Sequence, residues 1–159
     1  MLENLLLRRE QTVKFDTTWF IHIMEQKQLE VRASRVTPFV SNPGRLVLTD
    51  RAIYFQLFNN IDSTPVSKLE YRFVHRICIR RHALRHIGLE IFYLPSDYTD
   101  VSSFGKRESV DHSLESIFFS FRDRSTRERV YTSLRQQAAV SHVEMDDLED
   151  VTIKVCECG

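Results

Sequence analysis

The residues best placed to do chemistry fall in one stretch. Between Arg72 and His86 the chain carries five arginines and three histidines and not one acid. Arg72, Arg76, Arg80, Arg81, His82 and Arg85 are the candidate site residues for a partner or an anion. Guanidinium groups at strand ends and in a turn can hold phosphate or carboxylate oxygens in paired hydrogen bonds. Beside an anionic membrane each basic side chain adds about 1 kcal/mol of attraction. The opposing reading starts from Glu144 to Asp150, where five acids stand with no base. The arginines would then contact that tail or a neighbouring domain. Charge alone does not choose between the two, because a charge patch does not name a ligand.

Other chemistries find little footing. His82 and His86 have i, i+4 spacing, which gathers metal ligands only on a helix, and this stretch reads as a turn. Cys156-Glu157-Cys158 offers two soft ligands where a metal site needs about four. The four glycines, Gly44, Gly88, Gly105 and Gly159, are too far apart for a phosphate-binding loop or a dinucleotide fingerprint. No GxSxG elbow occurs, and paired acids fall in loops or the tail. The chain is therefore expected to be non-catalytic and to need no cofactor and no metal.

The 22 basic and 22 acidic residues cancel. The basic run also lacks interleaved exposed aromatics, so no nucleic-acid partner is expected. Cys78, Cys156 and Cys158 are too few and too uneven for a disulfide framework, which points to a reducing, cytoplasmic setting. No apolar run approaches the ~20 residues that span a bilayer. Residues 1–9 lack the apolar length and cleavage site of a signal peptide.

Those side chains need a scaffold, and the hydrophobic period describes one. Residues 1–28 read as a helical N-terminal arm. Asp16 caps a turn from Thr17, and Phe20, Ile23 and Met24 recur at the spacing of a buried stripe. From Leu29 the period falls to two: Leu29, Val31 and Ala33 alternate with polar neighbours, and the run extends through Val36 and Phe39. Ser41-Asn42-Pro43-Gly44 has the composition of a tight turn, with Gly admitting positive φ. A strand follows over 45–49, with Leu46 and Leu48 on one face, and another carries Ile53, Phe55 and Leu57.

A polar loop over 59–64 leads to a short strand over 66–71. The next strand, over 73–80, points Ile77 and Ile79 inward and Arg76, Cys78 and Arg80 to the other face. After a hairpin turn near 82–86, Ile87, Leu89 and Ile91 alternate. Residues 95–115 are polar and longer than ordinary ordered loops, so a flexible insertion is expected there. Ile117, Phe119 and Phe121 share one face of the last strand. Ser125-Thr126-Arg127-Glu128 then forms a capping box opening a helix that ends near Ala139, with Val130, Tyr131 and Leu134 as its apolar stripe.

About seven antiparallel strands and one C-terminal helix define a mainly β fold. Two packed sheets closed at one end by the helix would bury every stripe, which is a pleckstrin-homology-like sandwich or barrel. The expected organisation is an arm over 1–28, this domain over 29–140, and an acidic linker or tail over 141–159.

Two motif series sharpen this. One is Val36-Thr37-Pro38-Phe39-Val40-Ser41-Asn42-Pro43-Gly44, with Leu48-Thr49-Asp50 and Ile53-Tyr54-Phe55-Gln56. The other is Arg80-Arg81-His82-Ala83-Leu84 leading to Gly88-Leu89-Glu90-Ile91-Phe92. Together they resemble the pleckstrin-homology-like domain that precedes BEACH in BEACH-family scaffold proteins, of which the neurobeachin type is more distant. The resemblance covers roughly residues 15–139 and departs at the 95–115 stretch. It implies that a BEACH domain of the same full-length protein packs against this one and shares a partner-binding groove with it. It also implies a role in membrane trafficking, vesicle dynamics or signalling, in the cytoplasm or at a membrane periphery.

The alternative is phosphoinositide or anionic-lipid recognition through the basic run. Phosphoinositide-binding domains of this type place basic residues around the loop joining their first two strands. Here that loop reads as Ser41-Asn42-Pro43-Gly44 with only Arg45 nearby, so the usual pocket is expected to be absent.

Overall fold

Alternating apolar residues drive the chain into strands because each strand then buries one face. The computed structural model describes residues 14–58, 66–95, 114–137 and 142–146. Its strands are β1 (Lys27–Val36), β2 (Ser41–Thr49), β3 (Ala52–Leu57), β4 (Val66–Glu70), β5 (Val74–His82), β6 (Arg85–Tyr93), β7 (Glu115–Ser120) and β8 (Glu144–Asp146). One α-helix, α1 (Arg124–Gln136), follows β7. The start of the expected helical arm, the 59–64 loop, most of the 95–115 insertion and the far part of the tail, with Cys156 and Cys158, lie outside the described residues.

The described strands form one hydrogen-bonded sheet in the order β4-β3-β2-β1-β7-β6-β5-β8, in place of two separate sheets. The join is at the end of β1, where Ser34, Arg35 and Val36 pair with Ser120, Phe119 and Phe118 of β7. The sheet folds over a single apolar cluster. Leu46, Leu48, Ile53 and Phe55 from one half meet Ile77, Leu89, Ile91 and Phe119 from the other. Val130, Tyr131 and Leu134 of α1 close the same cluster, as their spacing predicts. The result is a mainly β fold with one C-terminal helix among the described residues, the layout expected of a pleckstrin-homology-like domain.

Four local expectations are corrected. The first turn is Thr37 to Val40, where the Thr37 N–H donates to the Val40 carbonyl at 2.9 Å. Ser41-Asn42-Pro43-Gly44 belongs to β2, and Gly44 has no positive φ. Glycine is needed there because a Cβ would lie 2.3 Å from the Gln56 carbonyl oxygen. Phe39 does not extend the strand; it is 95% exposed at the turn.

Second, residues 14–28, the described part of the arm, do not form a buried helical stripe. Asp16 does cap a turn, but only the 3-10 turn Thr17–Trp19, and Ile23 and Met24 are 101% and 81% exposed. The reason is that the sheet satisfies this segment's polar groups. The Tyr54 hydroxyl accepts from the Ile21 N–H at 2.9 Å. The buried Glu25 carboxylate accepts from Thr49 and Tyr54 hydroxyls at 3.0 and 2.7 Å, and from the His22 N–H at 3.1 Å. Phe15 and Phe20 pack on Tyr54, covering the outer face of β2 and β3.

Third, the helix begins earlier than the capping box. Asp123 is the N-cap, and its carboxylate accepts from the Thr126 N–H at 2.7 Å. Glu128 turns instead to Arg124 and Arg127. Asp123→Ala is therefore expected to lower the melting temperature by a few degrees, while Ser125→Ala leaves it nearly unchanged. That hydrogen bond holds the Asp123 carboxyl below the usual carboxylate range. With a depressed folded pKa, its stabilisation is complete above the unfolded value of about 4 and fades as pH falls through the folded one. A thermal melt series from pH 6 to pH 2 on parent and Asp123→Ala should converge at the acid end.

Fourth, the acidic tail is not all linker. Val143 is buried in the core cluster, and β8 adds to the edge of β5 as a parallel strand.

Candidate binding surfaces

The basic run is spread by the strands that carry it. β5 and β6 meet in a two-residue turn, Ala83-Leu84, and both residues have positive φ (48° and 64°). That turn geometry matches the twist of the flanking strands but costs a non-glycine residue. Leu84 is 95% exposed, so its side chain offsets little of that cost. Leu84→Gly is expected to raise stability by about 1 kcal/mol in chemical denaturation.

Each candidate residue then has its own surroundings. Arg72, just before β5, donates to Glu70 at 3.0 Å and lies over the Phe73 ring. Arg76 donates to Glu144 of β8 at 3.0 Å. Arg80 donates through Nε to Glu90 of β6 at 2.8 Å, and that bond raises its guanidinium pKa. His82 Nδ1 is 2.9 Å from the Ser120 hydroxyl, with its ring edge-on to Phe118. Arg85 donates to the Arg122 carbonyl at 3.2 Å, and Arg81 is exposed on β5. Arg76 and Arg80 share a face with Cys78 between them. Cys78 is buried, and that burial pushes its thiol pKa up. The run thus makes a row of local pairs; it does not converge on one pocket.

A second surface was hidden in the strand pattern. Val31 and Ala33 point into the core, so Arg35, two residues on, faces the same way at the end of β1. It stands opposite Phe119 and lines a groove of about 440 Å³ with Thr37, Ser67, Tyr93 and Ser116. Arg35 Nη1 donates to the Ser67 hydroxyl at 3.2 Å. Its Nε is buried and has no hydrogen-bond partner among the described residues. Across the groove Tyr93 donates to Glu115 at 2.8 Å, and burial with that acceptor pushes its pKa up to about 12. A cation at an inward position of a period-two run was the signal that sequence reading missed.

No protein-family model matches the chain. Among solved structures, the hSac2 domain from human phosphoinositide phosphatase Sac2 is similar at a TM-score of 0.54 and 10% identity, over 91% of this chain and 86% of that one. The C-terminal domain of an unknown protein from Leishmania infantum is similar at 0.51 and 14% identity, over 86% and 97%. An Slm1-PH domain in complex with inositol 4-phosphate gives 0.49 and 12% identity, over 72% and 96%. At such identities, likeness extends to the fold alone. Among the described residues no helix is long and apolar enough to cross a membrane.

Proposed function

We propose that this domain is a non-catalytic protein-docking module of a BEACH-type scaffold, working in the cytoplasm at trafficking or signalling membranes. The observation that carries the reading is the internal pairing of the basic run. Arg72, Arg76 and Arg80 each meet a carboxylate of the same domain at 3.0 Å or less. A polyanion would have to compete with those carboxylates for each guanidinium. A protein surface of mixed charge need not, and complementary polar groups set its specificity. The motif series supports a BEACH domain as the neighbour. Calorimetry should show that the BEACH segment placed after this domain binds it, and NMR relaxation should show the linked pair tumbling as one body. Independent tumbling with no measurable heat would remove the reading.

Arg35 favours a second reading, in which the groove at the end of β1 takes an anionic lipid headgroup. A buried guanidinium N–H without an acceptor is costly, and a phosphate oxygen would satisfy it. Vesicle co-sedimentation with and without phosphoinositide is expected to show salt-sensitive binding that Arg35→Ala abolishes. Binding that survives this substitution, or that ignores phosphoinositide content, sinks the idea.

A further inference from the structure

The strand β8 differs from every other described strand. It pairs in parallel, lies at the sheet edge, and spans three residues beside the nine of β5. Its segment alternates. Val143 is buried in the core and Met145 packs against it. Glu144 and Asp146 turn the other way, towards Arg76 at 3.0 Å and the Cys78 sulfur at 4.0 Å. Each feature of the segment therefore has a matching feature on β5: an apolar seat, a cation, and the row of backbone groups on the edge away from β6. The Arg76–Glu144 pair is well exposed, 41% and 60% by side chain, so salt screens it. A strand this short, held by three paired residues, opens more readily than the strands inside the sheet.

We infer that the edge of β5 is a peptide-docking groove that residues 143–146 occupy in cis. Its partner is an extended segment of another protein that alternates apolar and acidic side chains. Such a segment would add to the sheet as β8 does, taking affinity from backbone hydrogen bonds and specificity from alternate side chains. The inference rests on the protein-docking reading and assigns that reading its surface. The tethered segment holds the groove at a high effective concentration, so removing its two apolar anchors frees the groove for a competitor.

The test uses the full chain and a fluorescent peptide with the sequence of residues 140–148. Anisotropy should show the Val143→Ser/Met145→Ser chain binding this peptide about ten-fold tighter than the parent, or more. Arg76→Glu in that chain should reverse the gain, and a peptide carrying Glu144→Lys should restore it. A check that needs no substitution adds excess unlabelled peptide to the isotopically labelled parent chain, where the Val143 and Met145 amide signals should shift as the tethered strand leaves the groove. Equal affinity for both chains, or unmoved Val143 and Met145 signals, overturns the groove. Peptide binding without BEACH binding would leave the groove standing and end the scaffold reading. BEACH binding without peptide binding would remove the groove alone.

Discussion

Phe119→Ala is expected to destabilise the domain by about 3–5 kcal/mol, the range for removing a buried aromatic ring. Phe119 is 2% exposed and sits where the two halves of the sheet join. It stands opposite Arg35 of β1 on one side and Leu89 of β6 on the other. Its ring lies 5.2 Å from that of Phe55, so it locks β3 against β7 through the core as well as along the sheet. Truncation leaves a cavity that neither half can close without shifting the β1–β7 register. Because small domains carry only about 5–15 kcal/mol in total, much of the protein should then be unfolded at physiological temperature. Urea denaturation of Phe119→Ala and Phe119→Leu measures this, with the leucine variant expected to lose far less. A loss under about 1 kcal/mol for alanine would mean that the ring does not lock the halves.

Gly44→Ala should cost about 1–3 kcal/mol, the usual penalty for forcing extra volume into a packed site. The added carbon would meet the Gln56 carbonyl oxygen at 2.3 Å and the Phe55 ring at 2.6 Å. A side-chain tip can swing away, but the Gln56 carbonyl belongs to the β2–β3 pairing, where Arg45 stands opposite Gln56. Relief therefore means spreading the two strands. The prediction separates two explanations for this glycine. If a left-handed turn required it, asparagine would be a good substitute, since it tolerates that conformation. With close approach as the reason, Gly44→Asn should be worse than Gly44→Ala in the same denaturation experiment. Gly88 follows the same logic, with a Cβ there 2.7 Å from the Phe118 ring and 2.9 Å from the Arg80 carbonyl oxygen.

How much of the domain was legible in its sequence depends on the range of the interactions involved. Ile53, Phe55 and Leu57 announce β3 by alternation, and Val130, Tyr131 and Leu134 announce α1 by the helical period, because burial of one face is written locally. Those patterns were enough for the mainly β class and the closing helix. The turn was misplaced because Pro43 and Gly44 are turn-forming by composition, whereas the Thr37–Val40 hydrogen bonds make the actual turn. The described part of the arm departs from a helix for a related reason: Phe20, Ile23 and Met24 have helical spacing, but the Tyr54 hydroxyl and the Glu25 carboxylate take backbone N–H groups of that segment in other hydrogen bonds.

The candidate surface shows the same division. The chain alone shows that the basic residues cluster between Arg72 and His86, and that acids cluster after Val143. It could not say which charges meet. Arg76 and Glu144 are 68 residues apart, and only the parallel pairing of β8 with β5 brings them to 3.0 Å. Arg35 became a site residue only when β1, β4 and β7 met around it, since a groove does not exist in any one strand. Local period is a property of the chain and can be read along it. Charge pairing and concave surfaces are properties of the packed sheet, set by which distant strands become neighbours.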